Sequence, residues 1–293
     1  MKIAVITDST AYISAEQIGD LPIRVVTTPL ILDGHTYNEG VDITTADFYD
    51  KMAHTTEFPK TAQPRLGDVM QVHEELKAEG YDTVINLYLS SAISGIHDTA
   101  VGLAKNPDMP HIVVYDSWVT VIMLGEMVLQ AGKMAKAGAS LEDILHTLDI
   151  LRASTGEYFV VDNLQHLVRG GRLSSTAGFL GGLLNIKPIL TFDPDTHKIV
   201  PFEKARTSRK ALARVEELFA EATKDIDYPI KAWVIDANAP EPAAEWQADL
   251  KRHFPGIPFQ RSYIGPAIGT HVGAGTMALA WIRDLDADTK AKH

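Results

Sequence analysis

Four short polar stretches hold the side chains best suited to chemistry: Thr7-Asp8-Ser9-Thr10, Thr61-Ala62-Gln63-Pro64, Leu89-Ser90-Ser91-Ala92-Ile93-Ser94-Gly95 and Gly265-Pro266-Ala267-Ile268-Gly269-Thr270-His271. Each follows an apolar strand-like or helical end, where α/β proteins place their ligands. The third says most. A hydroxyl followed by glycine at a helix start offers an O–H and unhindered amides to an anion such as a carboxylate. Ser94 in the same position also reads as a simple helix cap. Taken alone, Thr61 ahead of Pro64 is a turn residue and His271 among glycines is a surface histidine. Arg169 and Arg172 bracket Gly170-Gly171 after an apolar run. That is the pattern of a helix C-terminus, where cations offset the dipole and glycine turns left-handed; ligand contact by Arg172 is the alternative. Lys204, Arg206, Arg209, Lys210 and Arg214 concentrate positive charge in one segment. They form either a solvated helix face or a docking patch for an acidic partner.

Several functions are disfavoured at this level. The formal net charge of −11 argues against nucleic-acid binding, which draws its affinity from Lys and Arg. The absence of cysteine removes disulfides and thiolate chemistry and fits a cytoplasmic location. The eleven histidines have no metal-ligand spacing, and no Walker A, His-Glu-x-x-His or calcium loop occurs, so no metal or cofactor is expected. Gly273-Ala274-Gly275-Thr276-Met277-Ala278 imitates a dinucleotide-binding turn, but no strand with a ribose-binding acid is expected after it. The first apolar run is too short for a signal peptide. Trp118 to Leu129 is interrupted by Gly125 and Glu126 and falls short of the ~20 residues of a membrane span. It reads as a buried helix, and no stable membrane insertion is expected.

The elements that must position these residues alternate in the first half. Ile3 to Ile6, Val84 to Leu89 and His111 to Tyr115 read as buried strands. Leu66, Val69, His73 and Leu76 form a helical stripe closed by Gly80. Ser14 with Gln17 and Ser140 with Asp143 have capping-box spacing. The second half predicts a hairpin, Ile189 to Phe192 with Lys198 to Pro201, turning through Asp193-Pro194-Asp195-Thr196-His197. A helix over Ser208 to Thr223, a strand at Ala232 to Asp236, a helix near Ala243 to His253 and a last strand at Pro258 to Ile264 follow. For 293 residues this gives two α/β domains, 1–155 and 156–293, joined near Arg152 to Glu157. The first has a largely parallel sheet, the second a mixed one with antiparallel strands. Phe179 to Ile186, with Gly178, Gly181 and Gly182, is apolar and glycine-rich, suited to a tunnel wall or to tight core packing.

In order and spacing, the chain resembles the DegV family. The resemblance rests on the four stretches above together with Val168-Arg169-Gly170-Gly171-Arg172-Leu173, Ile186-Lys187-Pro188-Ile189-Leu190 and Ile264 to Gly273, and it covers nearly the whole chain. It implies a long-chain fatty acid in a buried tunnel between the two α/β domains. It also implies a binding subunit that presents the carboxyl group to a fatty acid kinase and has no active site of its own. By motif, the carboxylate contacts fall on Thr61, Ser94 and His271. Gly95 and Arg172 are ligand contacts or structural residues, and Arg206 matches the family's arginine after the hairpin, a partner-docking position. The chain departs from the family at Ile96, where Ser-Gly-Thr is usual, and at Ala62, which replaces a common Ser. The competing function is an acyl-transfer or hydrolytic enzyme with Ser94 as nucleophile and His271 as base. No Gly-x-Ser-x-Gly elbow supports it, and no acid partner for His271 is identifiable.

Overall fold

A computed structural model of the chain describes residues 1–173 and 186–291. Of the glycine-rich stretch singled out as tunnel wall, only Ile186 falls within the described residues. The chain divides into two compact units.

The first unit comprises Met1–Ala153 and Gly265–Thr270. Its strands are β1 (Ile3–Asp8), β2 (Ile23–Val26), β3 (Pro29–Leu32), β4 (His35–Asn38), β5 (Lys60–Thr61), β6 (Thr83–Tyr88) and β7 (His111–Asp116). The main sheet has the order β2-β1-β6-β7, and every pairing in it is parallel. β1 and β6 are buried at every position, as strands covered on both faces must be, and so read as continuous apolar runs. β3, β4 and β5 form a small antiparallel sheet that the sequence reading lacked. The Leu66–Ala78 helix buries Val69, His73 and Leu76, whereas Leu66, assigned to the same stripe, is half exposed. His73 Nδ1 donates to the Val69 carbonyl at 2.8 Å and Nε2 faces the Asn86 side-chain amide at 3.0 Å. Burial pulls its pKa below the ordinary histidine value. The Val121–Lys136 helix is the buried helix expected; a Cβ on its Gly125 would come within 2.5 Å of the Ala11 carbonyl. Ser14 and Gln17 form the full capping box, and Ser140 Oγ accepts from the Asp143 amide at 3.1 Å.

The second unit comprises Ser154–Ile264 and the chain from His271 onward. The 1–155 and 156–293 division had no place for the return of Gly265–Thr270 to the first unit. Its strands are β8 (Gly156–Val160), β9 (Lys187–Phe192), β10 (Ile199–Ala205), β11 (Ile230–Asp236), β12 (Phe259–Tyr263) and β13 (Met277–Arg283). They form one sheet, β10-β9-β8-β13-β11-β12, parallel only between β11 and β12. The Ser208–Thr223 and Pro240–His253 helices bury Val215, Phe219, Trp246 and Leu250 in a core shared with Trp281. β13 corrects the expectation that β12 is the last strand. The chain does continue into a strand after Gly273-Ala274-Gly275, but a dinucleotide-binding turn must open a helix, and this one opens an antiparallel strand.

Candidate functional site

The carboxyl ends of β1 and β6 are locked together by one acid. Asp8, fully buried, accepts from the Thr10 amide (2.9 Å) and hydroxyl (2.5 Å) through Oδ1 and from the Leu89 amide (2.9 Å) through Oδ2. Burial raises its pKa above the ordinary carboxylate value despite these bonds. The Ser90 amide donates to the Val119 carbonyl at 2.8 Å, tying the end of β6 to the loop after β7. Trp118 in that loop sits at φ 62°, and Val121, which opens the helix after it, at φ 52°. A positive φ on a β-branched residue is strained and persists only where its surroundings impose it.

Three of the sequence-assigned residues, Thr61, Ser94 and Gly95, lie in or beside two loops brought together by Gln63. Thr61 ends β5, opposite Leu30 of β3. Two residues on, Gln63 Oε1 accepts from Thr99 Oγ1 at 2.7 Å, and a Cβ on Gly95 would collide with the Gln63 amide. Gly95 is therefore glycine because the 61–64 loop lies against the start of the Ile96–Leu103 helix. Gly95, not Ser94, is the cap residue of that helix, and no side chain caps it. Ser94 Oγ accepts from the Ile96 amide only at 3.4 Å, too long for a good cap. Its O–H donates to nothing among the described residues, at a helix start with open first-turn amides.

Sequence reasoning missed Glu39. This residue is 5% exposed. Its carboxylate accepts from Ser9 Oγ (2.5 Å), from Tyr12 Oη (3.2 Å) and from the Ala267 amide (2.8 Å). Burial, with nearby Asp8 contributing, pushes its pKa up to about 7. The glycine at 265 could have signalled it, since a Cβ there would crowd Tyr12 and Glu39.

His271 and Arg172 both belong to the second unit. His271 lies in the last turn of the Pro266–Val272 helix. Burial, then the Arg172 guanidinium, then His166, pull its pKa down to about 4, so near neutral pH the imidazole is uncharged. The Gln165–Arg169 helix ends as the sequence pattern implied, with Gly171 at φ 69°. Arg172 donates to the Gly170 carbonyl at 2.5 Å, and a Cβ on Gly170 would approach His271 Nδ1 to 2.5 Å. A neutral imidazole and a guanidinium are a suitable pair of donors for a carboxylate. Arg206 is exposed and forms no ion pair among the described residues. Arg214 leaves the proposed basic patch, because Glu203, Glu217 and Glu221 pair with it at 2.8–3.0 Å. Among the described residues, no cluster of three or more acidic or histidine side chains could hold a metal, and no helix is long and apolar enough to cross a membrane.

A unit built on a parallel four-stranded sheet and a unit built on a mixed six-stranded sheet define a two-unit α/β protein. Residues 2–284 match the family model described as uncharacterised proteins of the DegV family. A DegV domain-containing protein of Listeria innocua is 43% identical over 280 residues, covering 96% of this chain and 98% of the relative. The structure described as DegV, a fatty acid binding protein from Bacillus subtilis, is 39% identical with a TM-score of 0.86, covering 97% of this chain and all of that one. A fatty acid binding DegV family protein from Streptococcus agalactiae is 32% identical with a TM-score of 0.89, covering 97% of this chain and 99% of that one. The chain belongs to the DegV family.

Proposed function

We propose that this protein binds a long-chain fatty acid, holds its carboxylate with Thr61, Ser94 and His271, and presents it in the cytoplasm to a fatty acid kinase. The observation that carries the reading is the Ser94 hydroxyl, which donates to nothing among the described residues at an uncapped helix start. Relatives described as fatty acid binding proteins supply the ligand class. Burying each methylene contributes about 0.8 kcal/mol, so the acyl chain accounts for most of the affinity and the polar groups orient the head. Arg172 adds a positive charge beside His271, and exposed Arg206 is the docking contact for the partner. The hydrolytic alternative is the weaker reading, since no Gly-x-Ser-x-Gly elbow presents Ser94 as a nucleophile.

The test is solvent extraction and mass spectrometry of protein purified from a bacterial host, followed by addition of a fatty acid kinase and ATP. Co-purified fatty acid and kinase-dependent acyl phosphate, slowed by Arg206→Ala at low salt, are expected. Apo protein that also refuses added oleate and palmitate would falsify the binding function.

A further inference from the structure

We infer that Glu39 is a positioning residue, setting the helix that carries His271 through hydrogen bonds to that helix's first turn. The Pro266–Val272 helix is short, and its first amides have no partners within it. Glu39 Oε1 accepts from the Ala267 amide at 2.8 Å, and Tyr12 Oη, itself 3.2 Å from Oε1, accepts from the Ile268 amide at 3.4 Å. The other carboxylate oxygen is held by Ser9 Oγ, which in turn accepts from the Thr28 amide at 3.0 Å. The carboxylate is thus fixed from both sides before it meets the helix. Gly265 completes the fit: a Cβ there would come within 2.6 Å of the Tyr12 ring and 2.9 Å of Glu39 Oε1. Ala267 is itself buried, so water offers its amide no ready substitute, and a buried donor left without an acceptor is costly. The proposal relies on the fatty-acid reading only for what His271 does; what Glu39 does to the helix stands apart from it.

The experiment uses the full chain with Glu39→Ala, Glu39→Gln, His271→Ala and the Glu39→Ala/His271→Ala double variant. Two readouts are taken: backbone amide exchange at Ala267 and Ile268, and displacement of a fluorescent fatty acid by oleate. Glu39→Ala should speed exchange at both amides by about tenfold or more, while Glu39→Gln, which keeps an acceptor oxygen, stays close to wild type. In the binding arm, His271→Ala should weaken wild type about tenfold yet change Glu39→Ala far less, the non-additivity expected of coupled positions. Unchanged exchange in Glu39→Ala, or additive binding losses, would overturn the positioning role. Should wild type take no fatty acid, or His271→Ala bind as wild type does, the fatty-acid site assignment fails, and the exchange arm still decides for or against Glu39.

Discussion

Each unit holds one glutamate whose pKa burial pushes up to about 7, Glu39 in the first and Glu157 in the second. Their partners differ. Glu157 accepts from the Phe192 amide at 2.9 Å and the Thr191 hydroxyl at 3.1 Å, while Thr191 also donates to the Glu157 carbonyl at 2.9 Å. The β8–β9 ladder pairs Phe159 with Leu190 and Val160 with Ile189, so the Glu157 side chain continues the bonding where the ladder stops. Every partner belongs to the neighbouring strand. Glu39 instead gathers Ser9 and Tyr12, just after β1, and Ala267, in the first turn of the distant Pro266–Val272 helix. Two acids with the same shifted titration therefore do different work, one closing a sheet and one joining distant segments. Partner identity, rather than the size of a shift, separates a scaffold acid from one at a candidate site.

A sharp test of the difference between sheet and loop substitutes one glycine in each unit. Gly156 adjoins Glu157 and pairs with Trp281 across the sheet. A Cβ on Gly156 would fall among the atoms of the Trp281 indole. That ring is packed against Phe219 at 5.2 Å and Tyr158 at 5.9 Å between centroids, so it has nowhere to move. Gly156→Ala should cost about 3 kcal/mol, read by urea denaturation. Gly95→Ala meets only the flexible end of Gln63 and should cost under about 1 kcal/mol while weakening fatty-acid uptake, because the Gln63–Thr99 bond is displaced. Equal stability losses in the two variants would erase the distinction between a packed sheet and an adjustable loop.

Ser94→Ala comes next in size. Removing one hydrogen bond to a charged carboxylate should cost roughly 1.5–3 kcal/mol of affinity, and Thr61→Val should behave similarly. Stability should barely change for Ser94→Ala, since the only bond of its hydroxyl among the described residues is the long one from the Ile96 amide. Oleate titration and thermal melts measure both quantities. Unchanged affinity in both variants would remove these residues from the head-group site.

What the sequence could disclose follows the same division. β1 and β6 were legible because parallel strands covered on both faces are unbroken apolar runs, edge strand β7 by its Ile-Val-Val-Tyr run, and the polar loops at their ends by position. β2 to β5 are short, and β4 reads His-Thr-Tyr-Asn, with no apolar run to find. β13 escaped because Ala278 and Ala280 dilute its strand propensity and glycines precede it, although its place in the sheet buries it almost throughout. Glu39 escaped for a different reason. Its burial is completed by Ala267, 228 residues later, and a lone acid before Gly40 carries no local pattern. Long-range closure of this kind leaves its trace only in Gly265, whose lack of a side chain makes room for the contact.

The smallest expected effect is a pH slope in which buried acids and buried histidines pull against each other. Glu39 and Glu157 have ordinary values of 4.5 and folded values of about 7. Between those values the fold keeps protons that the unfolded chain releases, so their stabilisation is lost as pH rises through about 7. Buried Asp8, also raised, acts with the same sign. His271 falls from 6.5 to about 4; its contribution is present above 6.5 and lost as pH drops toward 4, and His73 is lowered in the same sense. The two sets oppose each other from about pH 4.5 to 6.5, and above that only the glutamate slope remains. Unfolding free energy should therefore fall between about pH 5 and 6.5, with His271 offsetting about one of the two glutamates, and decline by roughly 1–2 kcal/mol more toward pH 8. Glu39→Gln and Glu157→Gln should each shallow that decline, because each removes a proton but keeps an acceptor oxygen. His271→Ala should steepen the fall between about pH 5 and 6.5. Urea melts across the range measure all three. If the Glu39→Gln curve runs parallel to wild type while Glu157→Gln flattens it, only the sheet acid titrates as described, and the two glutamates differ in ionisation as well as in partners.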